Sequence, residues 1–291
     1  MGVITRFFLK LLFIFCLASI PLVFYIKDQE LILKFNELLF LLSDFSQGLI
    51  NGKSWTFIEG DRTPNLIFDL FLRLQFSFFY LIIAGFIAIL ISLVLGIRFW
   101  QTYYRYFTGI INMIGIFPSF ILILLMQITI IKLNNIFDYN LFLVASASSD
   151  KPAYFLPIFT LVILSLIYTI DNLSNKTRLV LNQDYILFAR SKGLSANEIY
   201  FRHIYPNVTP YLKAEIPKIT FILLSNLFIV EYLYNIRGIT ILLFSHTDFG
   251  YQYNVVVFCL IFIFLLYIIT YLTLLLFIKS IERFIQWAIF L

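Results

Sequence analysis

Residues able to do chemistry are few in this chain and mostly out of one another's reach. There are two cysteines and two histidines among 291 residues. Cys16 and Cys259 each lie inside an apolar segment with no charged neighbours, which suits buried filler better than a disulfide or a metal pair. His203 and His246 fall on opposite sides of the membrane in the topology derived below, so they cannot share an ion. No GxxxxGK[ST] cradles a phosphate, and HExxH, CxxC and GxSxG are absent. No catalytic residue, metal site or cofactor is expected. Inside the apolar stretches the main ionisable residue is Glu231, near one end of its stretch, whereas an ion-coupled carrier needs several polar groups near the midplane. If the protein does work, another subunit must power it.

Residues 182–210, NQDYILFARSKGLSANEIYFRHIYPNVTP, are the most informative stretch. Asn182 or Asp184 can cap a first helix, Tyr185–Lys192, with Asp184 at its positive end. Gly193 follows basic residues, as at a helix C-terminus. Ser195, Ala196, Asn197 and Glu198 then form a capping box that opens a second helix, Ala196–Tyr205, which Pro206 ends. Ten residues make a helix of roughly 15 Å, too short to stand alone. It must pack on a bundle or in a partner's groove. Ile199 and His203 share one of its faces, Tyr200 and Ile204 the next, and such a short amphipathic peg suits helix-in-groove recognition. A solvated basic loop is the blander reading of the same residues. A DNA-reading helix–turn–helix looks similar, but the flanking apolar segments pin this one to a membrane.

Those segments position the element. The chain is 61% hydrophobic and 13% charged, against about 45–50% and about 25% in a soluble domain. Six stretches are long and apolar enough to be spans: Phe7–Ile26, Phe76–Ile97, Gly109–Ile131, Tyr154–Ile170, Ile219–Leu233 and Asn254–Ile278. Alternation of period 2 is absent, so a membrane barrel is excluded and an all-α bundle is expected. The 35 Phe and 18 Tyr are spread through every apolar segment, as lipid-facing and interfacial residues are. The start resembles a secretory signal, but its apolar run is long and no small-x-small cleavage site precedes Lys27, so it reads as an uncleaved first span. Arg6 stands where myristoylation needs Ser or Thr.

Charge orients the bundle. With both termini inside, the inner pieces hold thirteen of the 21 basic residues and five of the 16 acidic ones, which leaves them at +8 and the outer pieces at −3. Positive charge belongs inside. The net charge of +5 is therefore a sidedness signal and no nucleic-acid role is expected. The helical pair lies on the cytosolic side between the fourth and fifth spans. Asn-x-Ser/Thr matches at Asn172, Asn175 and Asn207 lie there too, so glycosylation is not expected. Outside, Leu31–Phe45 is apolar but too short and charged to cross, and reads as a helix in the outer interface or a partly embedded hairpin. Asn51–Asn65 reads as loop. Pro118, beside Ser119, falls several residues into the third span and should kink it, as a packing bend or as a hinge along a pathway.

The residues now in view resemble the inner-membrane permease subunits of peptide/nickel-type ABC importers, the dipeptide–oligopeptide group. In that family the loop before the penultimate span reads Tyr-x-x-x-Ala-Arg-x-Lys-Gly-Leu-Ser, and here stand Tyr185, Ala189, Arg190, Lys192, Gly193, Leu194 and Ser195. Arg202-His203 follow, then Asn207 and Pro210, one residue closer together than usual. Phe117-Pro118-Ser119-Phe120 is similar to the family's third-span element, Leu156-Pro157 to its Leu-Pro before the fourth, and Val230-Glu231 through Gly238 to its Val-Glu-x-x-Phe-x-x-x-Gly. The likeness covers most of residues 70 to 285. Departures are Leu187-Phe188-Ala189 for Glu-Ala-Ala, Arg237 for Pro before Gly238, and Lys27-Asp28-Gln29-Glu30 for a Pro-Gly-Asp element.

The resemblance implies six transmembrane helices, N-in and C-in, with residues 1–75 carrying the first span and the external segment and 76–291 forming the permease domain. It implies a bacterial-type cytoplasmic membrane and a pair of permeases, identical or homologous. Two cytosolic ABC ATPases would each take the loop helix centred on Gly193–Tyr200 into a groove, with Arg190 and Lys192 meeting acidic groups and Glu198 capping its own helix. A binding protein would deliver short peptides or a similar small solute such as a metal chelate. Pro118, Ser119, Glu231 and Gly238 become candidates for the gate or pathway. Two readings of other classes stay open on the residues alone: an assembly or sensory subunit that recruits a cytosolic protein, and a secondary carrier.

Overall fold

The computed structural model describes residues 3–27, 30–33, 35–98, 109, 113, 115–140, 142–147, 151–243 and 251–290. Among them the chain is nearly all helical. Five helical stretches are long and apolar enough to cross a membrane: Leu66–Ile97, Ser119–Phe137, Phe155–Leu181, Ala196–Leu233 and Tyr253–Trp287. The sixth expected span is helix α1, Val3–Val23, whose apolar stretch Leu12–Val23 is shorter. His246 and Arg105 lie outside the described residues, as does most of the expected third span before Gly115.

Three expectations need correction. The external helix does not start at Leu31. Phe24–Lys27 (β1) and Glu30–Leu33 (β2) pair antiparallel, Phe24 opposite Leu33 and Lys27 opposite Glu30. Their aromatic and branched residues favour a strand. Helix α2 then runs Phe35–Asn51 and stops at Gly52, whose φ of 84° is left-handed. Pro118 does not kink a helix either. It stands just outside the start of α4, Ser119–Phe137, where its missing N–H costs nothing, and its carbonyl accepts from Ile121 at 3.0 Å. Finally, Pro206 does not end the second cytosolic helix, as shown below.

The chain packs as two units. The first holds Met1–Ser77 and Arg237–Leu266. Phe45 of α2 is its hub, ringed by Phe15, Tyr253 and Phe258 at 5.7, 5.8 and 5.7 Å between ring centres. The expected loop Asn51–Asn65 is tied down by side chains. The Gln252 amide bonds both the N–H and the carbonyl of Ile58 at 2.9 Å, and Asn254 donates to the Thr56 carbonyl at 2.8 Å. Helix α3, Leu66–Leu93, begins under an Asn65 cap, and a π-type turn, Val94–Arg98, follows it. In its first turns Asp69 accepts from Arg73 at 2.5 Å and from Arg237 at 3.0 Å, and Ser77 accepts from the Ile239 N–H at 2.9 Å.

The second unit holds Phe78–Ile236 and Tyr267–Leu291. Helix α5, Phe155–Leu181, packs most extensively on α8, Tyr205–Leu233, and the part of α9 (Tyr253–Phe290) that belongs to this unit meets α3 at Gly85. Gly85 makes that last contact close: a Cβ there would stand 2.8 Å from the Leu274 side chain and 3.3 Å from Leu223. Phe86 and Phe277 stack beside it at 4.0 Å. At the far end of α8, Tyr234 is fully buried. Its hydroxyl shares a 2.8 Å bond with Thr160, and its carbonyl accepts from the Ser146 N–H at 2.9 Å. Gln127 of α4 donates to the Leu233 carbonyl at 3.0 Å. We expect Gly85→Val to overpack the α3–α9 crossing by about 1–3 kcal/mol, read as a melting temperature several degrees lower for the purified protein, with Leu90→Val as control.

Candidate functional site

The basic helical pair starts at Gln183, where the chain turns out of α5. Helix α6 is Asp184–Ser191, with Asp184 in its first turn and Arg190 in its last, as the helix dipole prefers. Its N-cap is Gln183, without a side-chain bond, so neither Asn182 nor Asp184 caps it. Ile186 and Ala189, three apart, are its buried face. The other face carries Tyr185, Leu187 and Phe188, exposed by 42, 55 and 60%. Arg190 and Lys192 are exposed as well, with the Lys192 ammonium 4.5 Å from the Phe188 ring centre.

The turn after α6 closes as expected. Gly193 takes φ 77°, and its N–H bonds the Arg190 carbonyl at 2.9 Å, while the Leu194 N–H reaches the Ala189 carbonyl at 3.4 Å. A side chain at 193 would strain this backbone. Ser195 then caps the next helix, α7, Ala196–Glu198. The Glu198 N–H donates to the Ser195 hydroxyl at 3.3 Å, and the Glu198 carboxylate accepts from the Ser195 N–H and hydroxyl, each at 2.9 Å. Those two donors, the backbone N–H first, hold the carboxyl below its usual range. The box is therefore complete at neutral pH and is lost as the pH falls through that lowered value.

Beyond Glu198 the sequence-based expectation fails. Ile199–Ile204 is a π-type turn, and the helix passes straight into α8. The Tyr205 N–H bonds five residues back, to the Tyr200 carbonyl. Pro206, in the first turn of α8, has no N–H to offer, so the wider turn costs one bond fewer than it would elsewhere. The register shift re-sorts the faces. Ile199 and Ile204, five apart, are both buried, while Tyr200 and His203 are half-buried, so the i, i+4 pairing of Ile199 with His203 does not hold. His203 lies 6.5 Å from the Tyr185 ring instead. Asn207 donates to the His203 carbonyl at 2.6 Å, Arg202 is exposed, and Pro210 is exposed inside α8.

The structure thus brings Tyr185 to Pro210 together on one compact element of the second unit. Four exposed apolar side chains, Tyr185, Leu187, Phe188 and Phe201, stand beside the exposed cations. Leu187, Phe188 and Phe201 escape motif-based reading; their alternation with buried Ile186 and Ala189 was the available signal. The gate candidates are scattered. Pro118 is exposed and Ser119 half-buried at the start of α4, Glu231 is fully buried in α8 within electrostatic reach of Tyr80, and Gly238 is buried in the first unit.

Residues 88–287 match the family described as the binding-protein-dependent transport system inner membrane component. The chain belongs to that family. It is a multi-pass permease subunit of an ABC importer. Among solved structures, a chain of the MetNI methionine ABC transporter in inward-facing conformations matches this permease with a TM-score of 0.53 at 17% identity, over 75% of this chain and 97% of that one. That likeness concerns the fold alone. Comparison with curated proteins gives no match. The family assignment places a second permease, ATPase subunits and a binding protein around the chain, and the matched region includes the whole of the helical pair. Ser195→Ala should destabilise the start of the pair's second helix by about 1 kcal/mol, seen as roughly fivefold faster hydrogen exchange at the Glu198 amide.

Proposed function

We propose that the permease imports short peptides or a similar small solute, with a metal chelate as possible cargo, and that Asp184–Tyr205 is the element through which a cytosolic ATPase drives it. One observation carries this reading: a family member presents a cap-defined helical pair whose outer face combines exposed aromatic and aliphatic side chains with Arg190, Lys192 and Arg202. An apolar patch ringed by cations has the make-up of a protein-docking face. Arg190 and Lys192 meet acidic groups on the ATPase, Tyr185 extends the apolar outer face, Gly193, Leu194, Ser195 and Glu198 hold the geometry, Ala189 and His203 support it from beneath, and Asn207 and Pro210 shape its junction with α8.

In this reading α1 is a sixth span, both termini are inside, and α2 lies in the outer interface with Leu39, Phe40 and Ile50 in lipid. Their exposures of 70, 67 and 86% support that placement. Residues 1–75 then form an external and anchoring part, and 76–291 the transport domain. Two such permeases, identical or homologous, enclose the pathway, and an external binding protein delivers the cargo. Pro118 and Ser119, at the start of α4, line the pathway, and Glu231 orders its outer turn.

Two experiments check this. Arg190→Glu or Gly193→Pro should leave the protein in the membrane, lower uptake at least tenfold and release ATP hydrolysis from its dependence on cargo; wild-type uptake in both variants would refute the docking role. Glu231→Gln should leave uptake independent of pH between 6 and 8, since the residue is assigned an ordering role and not proton transfer. Disappearance of a pH dependence present in the wild type would reverse that assignment.

A further inference from the structure

A group of polar side chains lies outside the helical pair, between α5 and α8. Tyr168, Asn172 and Lys176 stand four apart on α5, one above another. Facing them on α8 are Tyr211, Glu215 and Lys218, and the same face continues through Ile222 to Asn226. The Tyr168 hydroxyl donates to Glu215, and Asn172 donates to the Tyr168 hydroxyl at 3.2 Å. The Lys218 ammonium lies 4.3 Å from the Tyr168 ring centre and that of Lys176 5.0 Å from the Tyr211 ring. None of these residues is fully buried, so the face is turned away from the chain's own core.

Depth decides what covers it. Phe155 and Leu233 mark one end of the α5–α8 pair. At 1.5 Å per residue, Tyr168 and Lys218 lie roughly 20 and 22 Å from that end, and Asn172 and Glu215 roughly 26 and 27 Å. A hydrocarbon layer is about 30 Å thick. Lys218 would then sit about 8 Å, Asn172 about 4 Å and Glu215 about 3 Å inside the inner boundary, which this length places beyond the span ends Ile170 and Ile219 expected from the sequence, with Asn226 nearer the middle. Facing lipid there is costly, and intramembrane ionisable residues face water or protein instead. A headgroup layer at one surface is too thin to bathe the whole stripe.

We infer that this stripe lines the inner half of the translocation pathway and passes a hydrated solute that bears both ammonium and carboxylate groups. The inference rests on the importer reading above. Lys218 and Lys176 offer cations, Glu215 an anion, and the two tyrosines and Asn172 neutral hydrogen bonds, so both ends of a zwitterion find partners. Between α5 and α8 the open volume is only about 10 Å³, room for a single water at most. The side chains satisfy one another here, and they exchange those bonds for solute as it passes.

The test uses the whole transporter in inside-out vesicles, with Cys16→Ser and Cys259→Ser as background. A membrane-impermeant maleimide is applied to Asn172→Cys, Lys218→Cys and Asn226→Cys, with Leu272→Cys, 48% exposed on an apolar part of α9, as control. Labelling of positions 172 and 218 at least tenfold faster than position 272 is the expected result. Rates equal to the control at all three positions would overturn the inference. So would a disulfide between two Lys218→Cys copies without labelling, which would give the surface to the sister permease. Asn172→Cys, a small neutral change, keeps the test open if Lys218→Cys fails to insert. Capture of the ATPase from the same vesicles reads the docking role separately, so the two proposals fail independently.

Discussion

A helix that starts at the Ser195–Glu198 box and does not stop until Leu233 is the constraint from which most of the second unit follows. It runs for 38 residues, roughly 57 Å, so the exposed helical pair and the buried turn at Tyr234 are two ends of one continuous helix. A break at Pro206 would leave the helical pair and α8 as separate helices. The π-type turn keeps the path continuous. It uses a five-residue bond at Tyr205 where a proline follows, and the Asn207 amide covers the His203 carbonyl. Backbone groups that enter a membrane must be satisfied from within the protein. Three prolines in and around α8 make that demand unusually sharp here.

Much of this was legible in the amino-acid order, and the misses share a cause. Capping residues act locally, so Gly193 and the Ser195–Glu198 box are readable at sight and stand where they were expected. Apolar runs are equally local, and the five long helices fall on them. Pro206 was misread because a proline within the first turn of a helix is tolerated, and whether a helix precedes it depends on a register that only packing of Ile199 and Ile204 decides. Pro118 was misread in the opposite sense, as an interior kink where it is a start. The stripe on α5 and α8 was missed because its members are spread over two helices. Each polar residue alone looks like a flank of a span, and only the pairing of the helices shows Glu215 beside Tyr168.

Side chains, together with isolated bridges such as Thr56–Asn65 and Glu59–Arg62, complete the backbone's bonding in the loops of both units. Gln252 closes on Ile58 as a strand neighbour would, and Asn254 covers the Thr56 carbonyl. In the other unit Gln127, Ser146 and Asn235 do the same near the end of α8, with the Ser146 hydroxyl accepting from the Ala153 N–H at 3.0 Å and Asn235 donating to the Ser146 carbonyl at 3.1 Å. Amides suit this role because each offers donors and an acceptor at once. Their composition cost is small: the charged fraction stays low, and a predominantly apolar chain still leaves few polar groups unpaired among the described residues.

Arg237 shows how one departure from the family pattern is accommodated. Where the family commonly has proline before glycine, the ring fixes φ and stiffens the turn. Here the same stretch is held by two contacts on α3, the Asp69–Arg237 ion pair and the Ser77–Ile239 hydrogen bond, eight residues apart on one helix face. Asp69 also pairs Arg73, whose side chain is only 9% exposed, and a buried guanidinium without its carboxylate would be costly by several kcal/mol. Asp69 is thus required by Arg73 whether or not position 237 is basic. Arg237, half exposed, adds a bond to a carboxylate already in place and gains modestly, because water screens it. Order in this segment comes from side-chain electrostatics anchored on a carboxylate that the helix needed anyway, and the ring constraint of proline becomes dispensable.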